Sequence, residues 1–203
     1  MKKKSFLQVT FLIAGLMLCI TGCKNNNIST AEITNESQAE EISADDSGEA
    51  TVDTLKNFTC ETIDGGTFTE TDFANRDLTV INFWMTTCQP CIREIPKLEQ
   101  IRKSLPDNVQ LVLVSLDDLY YIDDVKEIIE QTGFSGTVMM CGDQDMEALS
   151  KTLLYVPTTL FFDSHGKKVG PTMVGSTDNI EDSYRATIND ILNDLGKESE
   201  WKK

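Results

Sequence analysis

Short apolar runs rich in β-branched and aromatic residues alternate with helical patterns from residue 58 onward. Four such runs lie at 78–84, 109–115, 137–141 and 158–162. The segments between and after them carry apolar residues at the three- and four-residue spacing of amphipathic helices. Strands that alternate with helices predict a central, largely parallel sheet that is covered by helices on both faces. The chain is therefore expected to belong to the α/β class.

Two turn sequences add detail to this sheet. The Asp-Ser-His-Gly-Lys segment predicts a hairpin turn between strands at 158–162 and 168–174, which would make the sheet mixed. An earlier Asp-Gly-Gly turn would join two short strands at about 58–62 and 67–69. We therefore expect a central mixed β-sheet flanked by helices and preceded by an extra N-terminal β-hairpin.

The N-terminus has the pattern of an export signal. Three lysines at 2–4 precede an apolar run at 6–20, as in secretory signal peptides. The run leads into Ile-Thr-Gly before Cys23, which resembles the lipobox of bacterial lipoproteins, where the cysteine is acylated and becomes the new N-terminus. We predict a lipoprotein signal peptide at 1–22 and a lipid on Cys23. An uncleaved anchor with an incidental cysteine is the alternative.

The stretch that follows is polar and acidic. Residues 23–57 are rich in Asn, Ser, Thr and acidic side chains and contain no aromatic residue. This composition cannot bury enough apolar surface to offset the entropy of ordering, so a disordered linker is expected, with the folded domain at 58–196 and a tail at 197–203. Over the whole chain, 33 acidic residues against 18 basic ones give a net charge of -15, which argues against nucleic acid as a partner.

A C-x-x-C motif, Cys88 to Cys91, directly follows a predicted buried strand and opens a predicted helix. At a helix N-terminus, free backbone N–H groups and the positive end of the dipole stabilise a thiolate, which makes Cys88 the predicted nucleophile. Cys91 lies one turn further on and can resolve a mixed disulfide formed by Cys88. A zinc site would need a second cysteine or histidine pair at ligand spacing, and a purely structural disulfide is the other alternative.

Two motifs in the right order resemble those of the TlpA/ResA-like thiol-disulfide oxidoreductases of the thioredoxin superfamily. The first is Phe-Trp-Met-Thr-Thr-Cys-Gln-Pro-Cys at 83–91, with Glu94 and Pro96 behind it. The second is Val-Pro-Thr-Thr-Leu-Phe at 156–161. The resemblance covers about residues 58–196.

This resemblance implies a thioredoxin-like fold. Its core would carry an added N-terminal strand pair at 58–75 and an inserted α/β element at about 117–141. The sequence departs from many relatives at Thr87, where they carry an aromatic residue directly before the first cysteine. Substrate preference is therefore left open.

The resemblance also implies roles for individual residues. Pro157 matches a cis-proline that faces the C-x-x-C motif, and Val156 would offer its backbone to an extended substrate peptide. Glu94 matches a buried glutamate that exchanges protons with the thiols, so it joins the two cysteines as a predicted catalytic residue. Trp84 matches a tryptophan that either contributes to substrate binding or packs against the active-site helix. A trans proline and an exposed helix glutamate are the alternatives.

The remaining cysteines, methionines and histidine favour plain structural roles. Cys60 and Cys141 lie in or beside apolar strand patterns, where a free cysteine is usually a small buried side chain, and a disulfide between them stays open. Met139 and Met140 beside Cys141 could suggest a soft copper site, but methionines in a buried strand favour core packing. His165 belongs to a predicted turn. No metal site is predicted.

Together these features predict a thiol-disulfide oxidoreductase that is anchored by lipid on the extracytoplasmic side of the cell membrane. The resemblance implies a monomeric reductase without a dissociable cofactor, recharged by a membrane electron donor, that acts on protein thiols and disulfides such as the haem-site cysteines of apocytochrome c. A disulfide-forming oxidase of the same fold is the alternative. A thiol peroxidase would want Thr at the position of Met85, and a copper chaperone would want C-x-x-x-C, one residue longer.

Overall fold

A five-stranded mixed sheet is the centre of the computed structural model, which describes residues 52–202. A separate two-stranded hairpin precedes it. The strands are β1 Thr59–Glu61, β2 Thr67–Thr69, β3 Leu78–Trp84, β4 Val109–Ser115, β5 Val138–Met140, β6 Thr158–Asp163 and β7 Lys168–Val174. The helices are α1 Gln89–Ser104, α2 Ile122–Thr132, α3 Gln144–Thr152 and α4 Ile180–Asp194, with short 3-10 helices at Glu70–Asn75 and Leu119–Tyr121.

The strand order of the large sheet is β5-β4-β3-β6-β7. Strands β3, β4 and β5 run parallel, whereas β6 pairs antiparallel with both β3 and β7. The β6–β7 connection is the hairpin predicted from the Asp-Ser-His-Gly-Lys turn. The expected mixed sheet, N-terminal hairpin and α/β insertion between β4 and β5 are therefore confirmed.

Strand β3 lies in the middle of the sheet, and all seven of its residues are buried. Leu78, Val80 and Trp84 belong to one core cluster, together with residues of α1, α2 and α4. Ile81 and Phe83 point to the opposite face, into a second cluster. Because both faces of a central strand are covered, its sequence is a nearly continuous apolar run and does not alternate with polar residues.

The second face of the sheet is covered by the N-terminal hairpin, the 3-10 helix that follows it, and α3. Four aromatic rings meet there, from Phe58, Phe68, Phe73 and Phe162, with neighbouring centroids 5.7 to 6.4 Å apart. Such tilted and edge-to-face ring pairs stabilise a fold by more than the burial of their apolar area alone. The hairpin therefore completes the core on this face.

The ordered domain extends beyond both predicted boundaries. Leu55, expected in the linker, is fully buried and its backbone N–H donates to the Gly166 carbonyl at 2.9 Å. Gly166 has φ of 71°, and a Cβ there would lie 2.4 Å from the Leu55 carbonyl oxygen, so the contact requires glycine. At the other end, the centroid of the Trp201 ring lies 4.0 Å from the Arg185 guanidinium carbon. The predicted tail is therefore in contact with α4.

The predicted signal peptide, Cys23 and the linker as far as residue 51 lie outside the described residues. Within 52–202, none of the helices has the length and apolar character needed to cross a bilayer.

One buried carboxylate joins α1 to the loop after α2. Glu99 is 5% exposed and accepts hydrogen bonds from Arg102 Nε at 2.8 Å and from the Ser135 hydroxyl at 2.7 Å, with Lys103 Nζ at 3.1 Å. Burial alone would raise the pKa of Glu99, but these donors outweigh it and lower the pKa to about 2. The charged form of Glu99 therefore stabilises the fold.

Replacing Glu99 with Gln should make stability less dependent on acid pH. The pKa of Glu99 falls from an ordinary 4.5 to about 2 on folding, so its contribution is complete above about pH 5 and is lost as the pH falls towards 2. The difference in free energy of unfolding between the parent and Glu99→Gln should shrink over that range in urea titrations. A difference that stayed constant would contradict this account.

The matched control is Glu147→Gln on α3. Glu147 pairs with Lys151 at 2.7 Å, but both side chains are exposed. Such a surface pair contributes only about 0 to 1 kcal/mol, so this variant should follow the parent across the same pH range.

Candidate active site

The β3–α1 turn places the first cysteine at the start of a helix. Cys88 is the N-cap of α1, with its backbone N–H donating to the Met85 carbonyl at 3.0 Å. Its Sγ accepts a hydrogen bond from the Cys91 backbone N–H at 3.3 Å. Pro90 occupies the first turn, where the missing N–H costs no intrahelical bond. The sequence thus places a sulfur where a helix offers free donors.

Cys88 and Cys91 are joined by a disulfide, with their Cα atoms 5.3 Å apart. Cys88 is half-buried, whereas Cys91 is only 1% exposed. An incoming reactant can therefore approach the Cys88 sulfur but not the Cys91 sulfur.

The loop before β6 lies against this disulfide. The Val156–Pro157 peptide bond is cis, as the resemblance implies, and the trans alternative does not occur. The Val156 carbonyl oxygen lies 3.7 Å from Cys88 Sγ. Just before them in the chain, Leu154 and Tyr155 are 84% and 70% exposed, so the loop that carries Val156 presents two apolar side chains to solvent.

Glu94 is buried beneath the motif rather than exposed on α1. It is 4% exposed, and the Asn82 amide donates to its Oε1 at 3.3 Å. Its Oε2 has no hydrogen-bond partner among the residues that the structure describes. Burial raises the pKa of Glu94, and the nearby Ser176 hydroxyl and the Asn82 amide only partly oppose this.

The Asn82 amide is the centre of a buried polar network. Its two N–H groups are shared among three acceptors, which are Glu94 Oε1, Thr159 Oγ1 at 3.0 Å and the Tyr184 hydroxyl at 3.4 Å. The Thr159 and Tyr184 oxygens are 2.6 Å apart. Burial, and then the charge of Glu94, raise the pKa of Tyr184, so the phenol stays neutral. The network joins β3, β6 and α4 below the active-site helix and orients Glu94 within it.

Trp84 does not contribute to a substrate surface. Its side chain is fully buried and packs in the core beside Cys91 and α1. The prediction that Trp84 binds substrate is therefore wrong, because no part of the ring reaches the surface, and the alternative of packing against the helix is the one observed. Thr87, in contrast, is exposed next to Cys88.

Asp117 braces the turn that carries Cys88, and the sequence analysis did not identify it. Its carboxylate accepts hydrogen bonds from the Thr86 backbone N–H and from the Thr86 hydroxyl, both at 2.8 Å. The Ser115 hydroxyl donates to the same carboxylate at 2.7 Å. Trp84 pairs with Ser115 in the parallel β3–β4 register, and the same offset of register places Thr86 beside Asp117.

The other candidate residues are separate from this site. Cys60 and Cys141 are free thiols, the former buried and the latter half-buried. Met139 and Met140 are fully buried core residues, and the His165 side chain is 86% exposed. In the part of the chain from 52 to 202, no group of three or more His, Cys, Asp or Glu side chains could hold a metal ion.

The fold and the site define the class of this protein, which is a thiol-disulfide oxidoreductase of thioredoxin fold. A model of the AhpC/TSA family matches residues 51–169, which is more than half of the chain. The chain therefore belongs to the AhpC/TSA family.

Individual relatives agree with this assignment. The thiol-disulfide oxidoreductase ResA of Halalkalibacterium halodurans is 22% identical over 134 residues, which cover 65% of this chain and 73% of ResA. A thioredoxin-family thiol:disulfide interchange protein from Chlorobium tepidum has a TM-score of 0.56 at 22% identity, over 68% of this chain and 96% of its own. The thioredoxin domain of an oxidoreductase from Bacteroides vulgatus has a TM-score of 0.52 at 19% identity, over 66% and 95%. These similarities confirm the fold expected from the sequence.

Removing the Asp117 carboxylate should loosen the active-site turn. We expect Asp117→Ala to lower the free energy of unfolding by about 1 to 3 kcal/mol, because it leaves two Thr86 donors without their partner. The reaction of Cys88 with a model disulfide should slow as well. Denaturant titration and stopped-flow thiol exchange would measure the two effects.

Asp124→Ala is the control, since Asp124 is an exposed carboxylate in the first turn of α2. Its stability should stay within about 0.5 kcal/mol of the parent. If Asp117→Ala matched this control in both measurements, the bracing role of Asp117 would be wrong.

Proposed function

We propose that this protein is a reductase of protein disulfides that acts outside the cytoplasm, held to the membrane by a lipid on Cys23 after removal of residues 1–22. The observation that carries the redox part of the proposal is a half-buried Cys88 at a helix N-terminus, bonded to a buried Cys91 and facing a cis-proline loop. The location is supported by the sequence pattern of residues 1–23.

The chemistry follows from the difference in exposure between the two sulfurs. In the reduced protein, the Cys88 thiolate, stabilised by the helix N-terminus, attacks one sulfur of a substrate disulfide and releases the other as a thiolate. Cys91 then loses its proton and attacks Cys88 Sγ in the mixed disulfide, which releases the second substrate thiol. Two electrons pass to the substrate, and the protein is left in the bonded form that the structure describes.

Substrate contact is assigned to the loop before β6. Val156 is half-buried beside Cys88, and its backbone would pair with an extended peptide. The exposed side chains of Leu154 and Tyr155 would cover apolar parts of the same peptide. Because backbone pairing reads little sequence, we expect several protein partners, of the kind that the sequence resemblance implies.

Glu94 is assigned a proton-transfer role. It lies one helical turn after Cys91, and its buried carboxyl has one oxygen without a partner among residues 52–202. A carboxyl with a raised pKa changes its charge closer to neutral pH, so its ionised form can accept the Cys91 proton and its protonated form can return it. The buried network around Asn82 keeps this carboxyl in place.

Measuring the reduction potential of the Cys88–Cys91 pair tests the direction of electron flow. A potential near the thioredoxin value of about -270 mV would support a reductase, whereas one near the DsbA value of about -120 mV would support the oxidase alternative. The Cys91→Ser variant should capture partners, because the mixed disulfide on Cys88 cannot then be resolved. Cys88→Ser should capture none.

Two experimental outcomes would count against the proposed function. A chain that reduces no model protein disulfide, and whose Cys91→Ser form traps no partner, would contradict the proposed function. Rapid consumption of hydrogen peroxide by the parent, lost in Cys88→Ser, would instead favour a thiol peroxidase.

Replacing Glu94 with Gln should slow the resolving step. We expect release of the mixed disulfide to slow by about 100-fold, because the proton acceptor for Cys91 is lost, and one ionisation should vanish from the pH profile of that step. The free energy of unfolding should also depend on pH, with a sign opposite to that described for Glu99. The raised pKa of Glu94 means that the folded parent loses stability as pH rises through it, and Glu94→Gln should not.

Glu181→Gln is the control, because Glu181 is an exposed glutamate in the first turn of α4. Single-turnover release of a model thiol, followed across pH, gives the comparison. An unchanged pH profile in Glu94→Gln would remove Glu94 from the proton path.

A further inference from the structure

Within residues 52–202, the two cysteines outside the active site are Cys60 in β1 and Cys141 directly after β5, on neighbouring segments. Thr62, just after β1, forms an antiparallel bridge with Met139 of β5, and the Ile63 backbone N–H donates to the Val138 carbonyl at 3.0 Å. In antiparallel pairing, each step forward on one strand is a step back on the other. Counting two steps from this isolated bridge places Cys60 level with Cys141, which is one residue past the end of β5.

Both cysteine side chains lie on one face of this strand pair. Residues two apart on a strand share a face, so Cys60 lies with Thr62 and Cys141 lies with Met139. Consistently, Cys60, Met139 and Cys141 all belong to the second core cluster. Cys60 is fully buried, whereas Cys141 is half-buried and reaches solvent.

The type of pairing brings these positions close. The Ile63 N–H donates to the Val138 carbonyl, so Ile63–Val138 is a hydrogen-bonded pair and Thr62–Met139 is a non-hydrogen-bonded pair. The same register, continued two residues, makes Cys60–Cys141 a non-hydrogen-bonded pair as well. Opposite Cα atoms in that type are about 4.5 Å apart, within the range of about 4.4 to 6.8 Å that disulfides span.

The backbone beside Cys141 confirms that the Cys60 sulfur reaches this strand. A Cβ placed on Gly142 would lie 2.6 Å from Cys60 Sγ. Burial, and then the neighbouring Cys141, raise the pKa of Cys60 to about 12, which agrees with a Cys141 thiol close to Cys60. Burial also raises the pKa of Cys141.

We propose that Cys60 and Cys141 are a second disulfide-forming pair, distinct from the active site, that locks the β1–β2 hairpin onto the segment between β5 and α3. Both are thiols in this structure, so the pair is described in its open form. This proposal does not depend on the proposed function.

The oxidant is a low-molecular-weight disulfide such as oxidised glutathione. The half-buried Cys141 thiolate attacks one sulfur of that disulfide, forms a mixed disulfide and releases one glutathione thiolate. Cys60 then loses its proton and attacks Cys141 Sγ, which releases the second glutathione. One disulfide forms, one is reduced to two thiols, and two protons leave the cysteines.

The test uses the full chain with Cys19, Cys23, Cys88 and Cys91 replaced by Ser, so that only Cys60 and Cys141 remain. It is incubated with oxidised glutathione at about pH 9, because thiols with raised pKa values react slowly at neutral pH. After unfolding, we expect no titratable thiol and a Cys60–Cys141 linked peptide in the mass spectrum. The melting temperature should rise by about 5 to 10 °C and return with dithiothreitol.

Single variants separate a true pair from independent oxidation. In the two-cysteine chain, Cys60→Ala should bind a single glutathione, on Cys141, and its melting temperature should not rise. If it fails to fold, Cys141→Ala should instead keep a thiol on the buried Cys60. Two retained thiols in the two-cysteine chain, a separate glutathione on each cysteine, or disulfide-linked dimers on a non-reducing gel would each overturn the proposal.

Discussion

The burial of β3 on both faces is the constraint on which the active site depends. All seven of its residues are buried, and β4 and β6 pair with the strand on either side. A shift in its register would expose apolar side chains. The chain therefore leaves the sheet at one fixed point, and Cys88 becomes the N-cap of α1 there. Asp117, at the end of the neighbouring strand, fixes the turn between them. The reactivity of a surface sulfur is thus determined by apolar packing beneath it.

The same strand carries a buried amide in the middle of this packing. Asn82 is 1% exposed, and its register partner on β6 is Thr159. A buried amide is costly unless its hydrogen bonds are made, and here Thr159, Tyr184 and Glu94 accept them. The hydrogen bonds to Glu94 offset only part of the cost of burying its charge, so its pKa is raised. The proton-transfer role proposed for Glu94 and the local destabilisation by its buried charge would therefore have the same physical origin, which is incomplete compensation of burial.

Much of the fold could be predicted from the sequence because it lies in local patterns. The strands, the helices, both hairpins and the place of the C-x-x-C motif follow from apolar spacing and turn residues. Asp117 could not be found this way, since it lies 31 positions from Thr86 and only the β3–β4 register joins them. Leu55 was missed because one apolar residue in a polar stretch has no periodicity. Trp84 was misassigned because sequence alone does not reveal which way a strand-end ring points.

Under the proposed function, the exposed loop before β6 has a consequence for how partners are selected. Leu154, Tyr155 and the Val156 backbone offer contact to any stretch of polypeptide that can lie straight across them. A disulfide held inside a rigid, well-packed domain cannot present its chain in that form. On the proposed function, discrimination acts on the conformational state of the partner, so we expect loosely structured chains to be favoured over folded ones, whatever residues surround their cysteines.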